Sequence, residues 1–362
     1  MKKGRILFII HHRKDRSPGQ RFRHEQYLDA LEAAGFECVL SPLMDAEEDK
    51  GFYAKGNLLG KFRILLSTIK KRLRDVKRAK DFDIIYIFRE AFMTGSIYFE
   101  KQFKKSGAKL IFDYDDSIWI DNISEGNKMF AFLKNAQKTS DIIALCDLIM
   151  AGNPYLADYA RSYNSNITIV PTTIDTQEYK RIPAPKSDVV TIGWSGSITT
   201  IQHFEHALPF LKVIKQKYGE KIAIKVIGDG NYVNAELGVK GLAWKKEDEL
   251  KELSTFDIGI MPLPDDKWAK GKCGLKGLQY MALSIPTIMS PVGVNQEIIQ
   301  HGVNGFLATT TEEWVAAIET LLGNESLRLQ VGAAGRKTVE DHYSVNAWRD
   351  KYVALYKSLL AK

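Results

Sequence analysis

The sequence predicts an α/β protein built from two doubly wound domains, and three observations support this fold class. The chain has 362 residues, which is roughly twice the length of a typical domain. Short apolar runs alternate with amphipathic stretches, a pattern typical of βαβ units and parallel sheets. A polar segment with two prolines, 181–188, divides the alternation and is typical of a linker.

The predicted strands fall into two series of similar length, so we expect two parallel sheets. The first series is Arg5–Ile10, Glu37–Leu40, Asp83–Phe88, Lys109–Asp113, Leu148–Ala151 and Ile167–Val170, with helical patterns that include Arg21–Ala34 and Ala91–Lys105. The second series is Val189–Trp194, Ile222–Ile227, Gly238–Leu242, Asp257–Met261, Thr287–Ser290 and Gly305–Leu307. Ligands of such sheets bind beyond the carboxyl ends of the strands, so the loops that follow strands are expected to carry the functional residues.

Composition excludes several classes of protein. The chain is 45% hydrophobic and 26% charged, which argues against a disordered or fibrous protein. No apolar run is long enough to span a membrane, and the run Ile6–Ile10 is too short for a signal peptide. Three widely spaced cysteines indicate neither a disulfide framework nor a metal site. We therefore expect a cytoplasmic protein, and its net charge of +7 would suit an anionic partner.

A glycine turn follows the first strand of the second series. The stretch Val189–Gly196 reads VVTIGWSG and precedes a helical pattern that begins near Gln202. Free amides at such a turn suit an anion, which makes Gly196 and Ser197 candidate phosphate-binding residues. The alternative is a turn with only a structural role. A hydrolase nucleophile elbow is rejected, because the second glycine comes one position too early.

A second cluster lies where another helix is expected to begin, at about Leu275. Lysines near a helix N-terminus are unfavourable partners of the helix dipole unless an anion balances them. The cluster therefore predicts a phosphate or pyrophosphate site, with a solvated basic turn as the alternative. Gln279 could bind a sugar or ribose, or lie on a polar helix surface. The cluster consists of Lys270, Gly271, Lys272, Gly274 and Lys276.

Two candidate sites lie in the first half. Ser17-Pro18-Gly19 is expected to open a helix that carries Arg21 and Arg23, which could bind an anion or be surface charges. The stretch DYDDSIW, at Asp113–Trp119, follows a strand. Asp115 or Asp116 could act as a general base or cap the next helix, and at least one of the three aspartates needs a partner or solvent.

These motifs resemble the nucleotide-sugar-dependent glycosyltransferases of the GT-B fold, most closely the retaining family 4 (group 1). The resemblance is specific in the second half and weaker in the first half. In the second half it is carried by IGWSGS, VIGDG, FDIGIMPLP and KCGLKGLQYMALSIPTIMSPVGVNQEIIQHGVNGFLA, and in the first by SPGQRFRHEQYLDAL and DYDDSIW, with PTTIDTQEY near the domain crossover.

The resemblance implies two Rossmann-like domains that face a central cleft. Residues 1–172 would bind the acceptor, residues 173–345 the nucleotide sugar, and residues 346–362 would form a helix that crosses back to the N-terminal domain. It also implies retaining transfer of a hexosyl unit to a glycan or lipid-linked acceptor in cell-surface polysaccharide or glycolipid synthesis. The donor nucleotide would be UDP or GDP, with no metal and no cofactor.

The resemblance also assigns roles to particular residues. Asp115 and Asp116 would be catalytic, and Gln279 and Gly228 would bind the donor sugar or ribose. The donor phosphates would contact Gly19, Arg21, Gly196, Ser197, Lys272, Gly274 and Leu275.

Four positions depart from the family pattern. Its paired glutamates fall on Gly271 and Gln279, and its arginine and lysine fall on Ser197 and Gln202. Lys272 and Lys276 are expected to replace the lost charge. Two alternatives follow: a catalytically silent nucleotide-sugar-binding partner, and a nucleotide-sugar hydrolase or epimerase of the same fold.

A basic amphipathic helix is predicted at Leu58–Ala79. Its apolar residues have helical spacing, and Asp75 is the only acidic residue among its many lysines and arginines. Such a helix could lie on the inner face of the cytoplasmic membrane as a peripheral contact, or cover its own sheet with a solvated basic face. We expect no nucleic-acid partner, because no reader motif accompanies the charge.

Overall fold

The computed structural model describes residues 4–53, 56–120, 135, 137–183 and 187–361. These residues form two compact units: one runs to Pro171 and takes in the chain from Arg349 onward, and the other is Thr172–Trp348. Each unit holds a six-stranded sheet. All the strand pairs of these two sheets are parallel, which confirms the predicted α/β class. Part of the expected linker, 184–186, lies outside the described residues.

The sheet of the first unit has the strand order β2-β1-β3-β4-β5-β6. Its strands are mainly apolar because helices cover both faces of a parallel sheet. Every residue of β3, for example, is buried. The strands are β1 (Gly4–Ile10), β2 (Phe36–Pro42), β3 (Ile84–Phe88), β4 (Lys109–Tyr114), β5 (Leu148–Ala151) and β6 (Ile167–Ile169).

Two helices of the first unit are shorter than expected. The helix expected at Arg21–Ala34 is broken, because the chain turns Arg23 and His24 into the protein between two short helices. The helix expected at Ala91–Lys105 begins only at Tyr98, since the Ala91 amide donates to the Glu100 carboxylate instead of to a helical carbonyl. The helices are α1 (Pro18–Arg21), α2 (Leu28–Ala33), α3 (Ala46–Tyr53), α4 (Leu58–Arg78), α5 (Tyr98–Lys105), α6 (Lys138–Leu145) and α7 (Pro154–Arg161).

The sheet of the second unit has the order β11-β8-β7-β12-β13-β14. The single strand expected at Gly238–Leu242 is two strands, because β10 pairs antiparallel with β9 and only β11 joins the parallel sheet. The strands are β7 (Val190–Ser195), β8 (Ile222–Gly228), β9 (Val233–Asn234), β10 (Val239–Lys240), β11 (Leu242–Ala243), β12 (Ile258–Met261), β13 (Thr287–Met289) and β14 (Phe306–Leu307).

Most of the remaining helices surround the second sheet. The last helix begins in the second unit, and its residues from Arg349 onward belong to the first. No helix among the described residues is long and apolar enough to cross a membrane. The helices are α8 (Ile201–Glu205), α9 (Leu208–Tyr218), α10 (Lys246–Ser254), α11 (Lys267–Lys270), α12 (Leu275–Ala282), α13 (Asn295–Ile298), α14 (Thr311–Leu322), α15 (Glu325–His342) and α16 (Val345–Leu360).

Candidate functional site

The glycine turns after β7 and β8 lie against each other. The Gly196 amide donates to the Ile227 carbonyl over 2.8 Å. Gly228 has a φ of 143°, and a Cβ there would lie 2.8 Å from the carbonyl carbon of Gly196. The Ser197 amide donates to Thr200 Oγ1 over 2.9 Å at the start of a short helical turn. The absence of a side chain at Gly228 therefore lets the two strand ends approach each other, which brings Gly196, Ser197 and Gly228 together.

The start of α12 brings two lysines to this edge of the sheet. Gly274 precedes the helix in the left-handed conformation, with a φ of 71°. Lys276 Nζ lies 5.4 Å from the centroid of the Trp194 indole ring, so α12 reaches the end of β7. Lys272 Nζ lies 4.5 Å from the centroid of the Trp268 ring. Two cations, the glycine turns and the positive end of a helix thus meet in one region, an arrangement that suits a diphosphate.

A buried histidine that sequence reasoning missed lies in the same region. Burial, then the nearby charges of Lys276 and Lys272, lower the pKa of His203 to about 3. The imidazole is therefore neutral at neutral pH. Its Nδ1 has no hydrogen-bond partner in the described part of the chain. His203 directly follows Gln202, which occupies the position of the family's lysine. This neighbouring position was the feature of the sequence that could have identified His203.

Gln279 lies in a buried hydrogen-bond network. Its Nε2 donates to the Tyr179 hydroxyl over 3.1 Å and to Glu249 Oε1 over 3.3 Å. Glu249 also accepts from the Tyr179 hydroxyl and from Trp244 Nε1. The alternative of a polar residue on the helix surface is therefore wrong. Contact of Gln279 with a ribose stays a prediction. Its amide nitrogen already donates to Tyr179 and Glu249.

In the first unit, Gly19, Arg89 and Asp115 meet at the carboxyl ends of the strands. Arg89 follows β3 with a φ of 64°, a strained conformation for a residue with a side chain. Its Nε and Nη2 donate to Asp115 Oδ1 over 2.8 and 2.6 Å. A Cβ on Gly19 would lie 3.3 Å from Asp115 Oδ2, so the glycine lies against this ion pair. Arg89 was not among the predicted site residues, although its place after a strand could have identified it.

The three aspartates after β4 have different surroundings. Asp113 is fully buried and pairs with Arg23, and its Oδ2 accepts from the Tyr86 hydroxyl. Asp115 pairs with Arg89. Asp116 Oδ1 accepts the Ser117 amide over 3.0 Å. The expectation that at least one of them needs a partner is confirmed. A surface location for Arg23 is wrong, because its role is to neutralise Asp113 in the core.

Arg21 also lies inside the first unit. Its side chain is buried, and its guanidinium lies 5.0 Å from the centroid of the Phe22 ring. A surface location is therefore wrong for this residue too. Its predicted contact with the donor phosphates stays a prediction.

Lys138, Glu90 and His11 form a cluster of titratable side chains near the carboxyl end of β3. Lys138 Nζ donates to Glu90 Oε2 over 2.6 Å and to the carbonyls of Phe92 and Thr94. His11 Nε2 lies 3.9 Å from Glu90 Oε1. Burial, then the positive charge of Arg72, holds the pKa of His11 well below its usual value, so this imidazole is neutral. The described residues contain no group of three or more histidine, cysteine or acidic side chains that could hold a metal ion.

Most of the second unit matches a known protein family. Residues 189–324 match the family described as Glycosyl transferases group 1. The chain contains a group 1 glycosyltransferase domain. This glycosyltransferase domain includes both glycine turns, the lysines at the start of α12 and His203.

The chain is also similar to one curated protein in sequence and to solved structures in fold. An uncharacterized glycosyltransferase of Methanocaldococcus jannaschii is 25% identical over 190 residues, 49% of this chain and 47% of that protein, so the match spans about half of the relative. Sucrose-phosphate synthase of Thermosynechococcus elongatus has a TM-score of 0.69 and 14% identity, over 99% of both chains. HepE of Anabaena, in complex with UDP, has a TM-score of 0.64 and 13% identity, over 98% of this chain and 100% of that one. The expected GT-B fold is confirmed.

Proposed function

We propose that the chain is a glycosyltransferase that transfers a hexosyl unit from a nucleotide diphosphate sugar. The observation that carries the proposal is the meeting of the glycine turns after β7 and β8 with the lysines at the start of α12, inside the group 1 domain. UDP is the proposed nucleotide, because HepE of similar fold was solved with UDP and with UDP-glucose. The acceptor is a glycan or lipid-linked sugar of surface polysaccharide or glycolipid synthesis, and transfer is retaining and independent of metal.

The donor diphosphate is stabilised by amides and cations of the second unit. Gly196 and Gly228 hold the two turns in this arrangement, because a Cβ at Gly196 would clash with the Trp194 ring and a Cβ at Gly228 with the Gly196 carbonyl group. The amide and hydroxyl of Ser197, and the amides of Gly274 and Leu275, donate to its oxygens, while Lys272 and Lys276 offset its charge. As the bond to the sugar breaks, negative charge grows on the leaving phosphate, and these groups stabilise it.

The residues at the strand ends of the first unit orient the other substrate. Arg89 fixes the orientation of the Asp115 carboxylate, whose second oxygen lies beside Gly19. Asp115 or Asp116 accepts a hydrogen bond from the acceptor hydroxyl, which attacks the sugar from the face that the nucleotide leaves. Gly19 and Arg21 contact the donor phosphates.

One observation favours a second candidate, a catalytically silent binding partner. Gly271 and Gln279 occupy the positions of the two family glutamates, and the Gln279 amide is held by Tyr179 and Glu249. A protein that holds the nucleotide but lacks the sugar-contacting carboxylate would bind a donor without turnover.

The test is titration calorimetry with UDP, GDP, dTDP and ADP, with and without magnesium, followed by donor turnover with a mixture of acceptors. Binding of one nucleotide, unaffected by a chelator, together with transfer is the expected result. Binding without transfer or hydrolysis would favour the silent partner. Failure to bind any nucleotide would contradict both functions.

Lys272→Ala is expected to weaken binding of the preferred nucleoside diphosphate about tenfold, because one charge-assisted contact is lost. The matched control is Lys337→Ala, which removes an exposed lysine paired with Asp341 on the surface of α15. Equal affinities in the two variants would remove Lys272 from the phosphate site.

A further inference from the structure

Helix α4 exposes five large apolar side chains to solvent, and its fully buried side chains are polar. Thr68, Arg72 and Asp75 are its buried side chains. Five large apolar side chains lie on the outside instead, which is the reverse of a helix that covers its own sheet. Their exposed fractions are 67% for Leu58, 79% for Leu59, 58% for Phe62, 43% for Leu66 and 39% for Leu73.

The buried polar side chains fix the rotation of α4 about its axis. Arg72 donates to the carbonyls of Ile10 and Ala91, each over 2.7 Å, and to Asp75 Oδ2 over 3.0 Å. The Ser41 hydroxyl donates to the same carboxylate. Turning the helix to bury its apolar side chains would break this network and leave buried charges unpaired, at a large cost in free energy. These five apolar residues therefore face outward in the folded protein.

The exposed residues form a continuous amphipathic face. At 3.6 residues per turn, the five apolar positions fall within a sector of about 100° around the helix axis. The next sector, about 60° wide, holds Arg63, Lys70, Arg74 and Lys77, all exposed. None of these four forms an ion pair with a described residue, and the one acidic residue of the helix, Asp75, is buried. We call the apolar and basic sectors together the outer face of α4.

We propose that the outer face of α4 docks on a bilayer surface that contains anionic phospholipids. An apolar sector bordered by cations suits the boundary between headgroups and acyl chains, where leucine and phenylalanine enter the hydrocarbon and lysine and arginine contact lipid phosphates. A second copy of the chain is the poorer occupant, because two such faces would bring like charges together. The proposal concerns the first unit alone and is independent of the nucleotide site in the second.

The test is sedimentation of the full chain with vesicles of phosphatidylcholine and of phosphatidylcholine mixed with phosphatidylglycerol. Binding to the mixed vesicles, weakened by added salt and nearly absent with phosphatidylcholine alone, is the expected result. Leu59→Ser with Phe62→Ser should abolish binding without changing the urea midpoint, since both side chains are exposed. The control is Leu329→Ser, which removes an exposed leucine of α15.

A charge variant tests the electrostatic part. Lys70→Glu should lower the partition coefficient at least about fivefold, and Lys101→Glu, an exposed lysine on α5, should leave it nearly unchanged. The proposal would be overturned if each α4 variant changed vesicle binding no more than its control variant does. It would also be overturned if the natural chain did not bind anionic vesicles. A concentration-dependent dimer that Phe62→Ser dissociates would overturn it too. Nucleotide titration of the same variants separates this result from the proposed activity, because their nucleotide affinity should be unchanged.

Discussion

His24 is a titratable group enclosed by aromatic rings in the core of the first unit. Its ring centroid lies 5.6 Å from that of Phe8 and 5.1 Å from that of Tyr86. Burial, then the charge of Arg23, lowers its pKa from 6.5 to about 3. Between these values the unfolded chain binds a proton that the folded chain does not bind. This residue therefore lowers the stability progressively as the pH falls from 6.5 to about 3.

His24→Phe should remove this proton uptake and keep an aromatic ring in the same space. Between about pH 7 and about pH 5, we expect the free energy of unfolding of the variant to fall about 2 kcal/mol less than that of the natural chain. Urea denaturation at both pH values measures the difference. The variant also loses a contact with the Tyr86 hydroxyl, which changes the stability at every pH but not the slope. Identical slopes would show that His24 titrates normally in the folded chain.

For individual residues, the sequence predicted where a side chain lies in the fold better than it predicted which residue that side chain contacts. The place of Asp115 after a strand was visible in the sequence, because strand ends follow from apolar runs. That Arg23 would neutralise Asp113 was not visible, since the two residues are 90 positions apart and meet only in the folded unit. The left-handed backbone of Arg89 was hidden for the same reason, because the tertiary contacts that hold it are absent from the local sequence.

Among the elements, the strands of the two main sheets other than β11 were predicted within one or two residues, whereas the faces of α4 were not. A parallel strand buried on both sides needs a continuous apolar run, which is easily recognised. The apolar spacing of α4 gives its helical period but not which side faces the protein. That side is decided by the bonds of Arg72 to Ile10 and Ala91, which come from two other segments of the chain. The split of β10 from β11 depends likewise on pairing with β9.

A substitution in the turn after β8 can test whether the close approach of this turn to the turn after β7 is needed for nucleotide binding. Gly228→Ala would place a Cβ 2.8 Å from the Gly196 carbonyl carbon and force the two turns apart. We expect nucleotide affinity to fall at least about tenfold in calorimetry, because the amides after β7 are displaced. The control is Gly238→Ala, which has a φ of 66° and no atom within 4 Å of the new Cβ. It should show backbone strain of about 1 kcal/mol and unchanged affinity. Equal affinity losses would mean that strain, not the contact, is responsible.

For the whole molecule, the last helix completes the core of the first unit. The Tyr352 ring stacks on Tyr27, with the centroids 4.1 Å apart, and Tyr356 meets the ring of Phe36. Leu360 packs near Gly4 of β1. Residues of α16 therefore pack against β1, β2 and Tyr27 and form part of the core of the first unit. The return of this helix was implied by family resemblance, since its amphipathic pattern alone does not say which sheet it covers.

Tyr352→Ala should accordingly weaken the first unit more than the second. Loss of a large buried aromatic ring costs about 3–5 kcal/mol, and the cavity would lie beside Tyr27. Amide hydrogen exchange should show faster exchange in β1 and β2, with β7 and β12 nearly unchanged, because stability is distributed over local cooperative units. Tyr98→Ala, at an exposed tyrosine of α5, should leave both sheets protected. An equal loss of protection in both sheets would contradict the assignment of the chain end to the first core alone, and would mean that the two units unfold together.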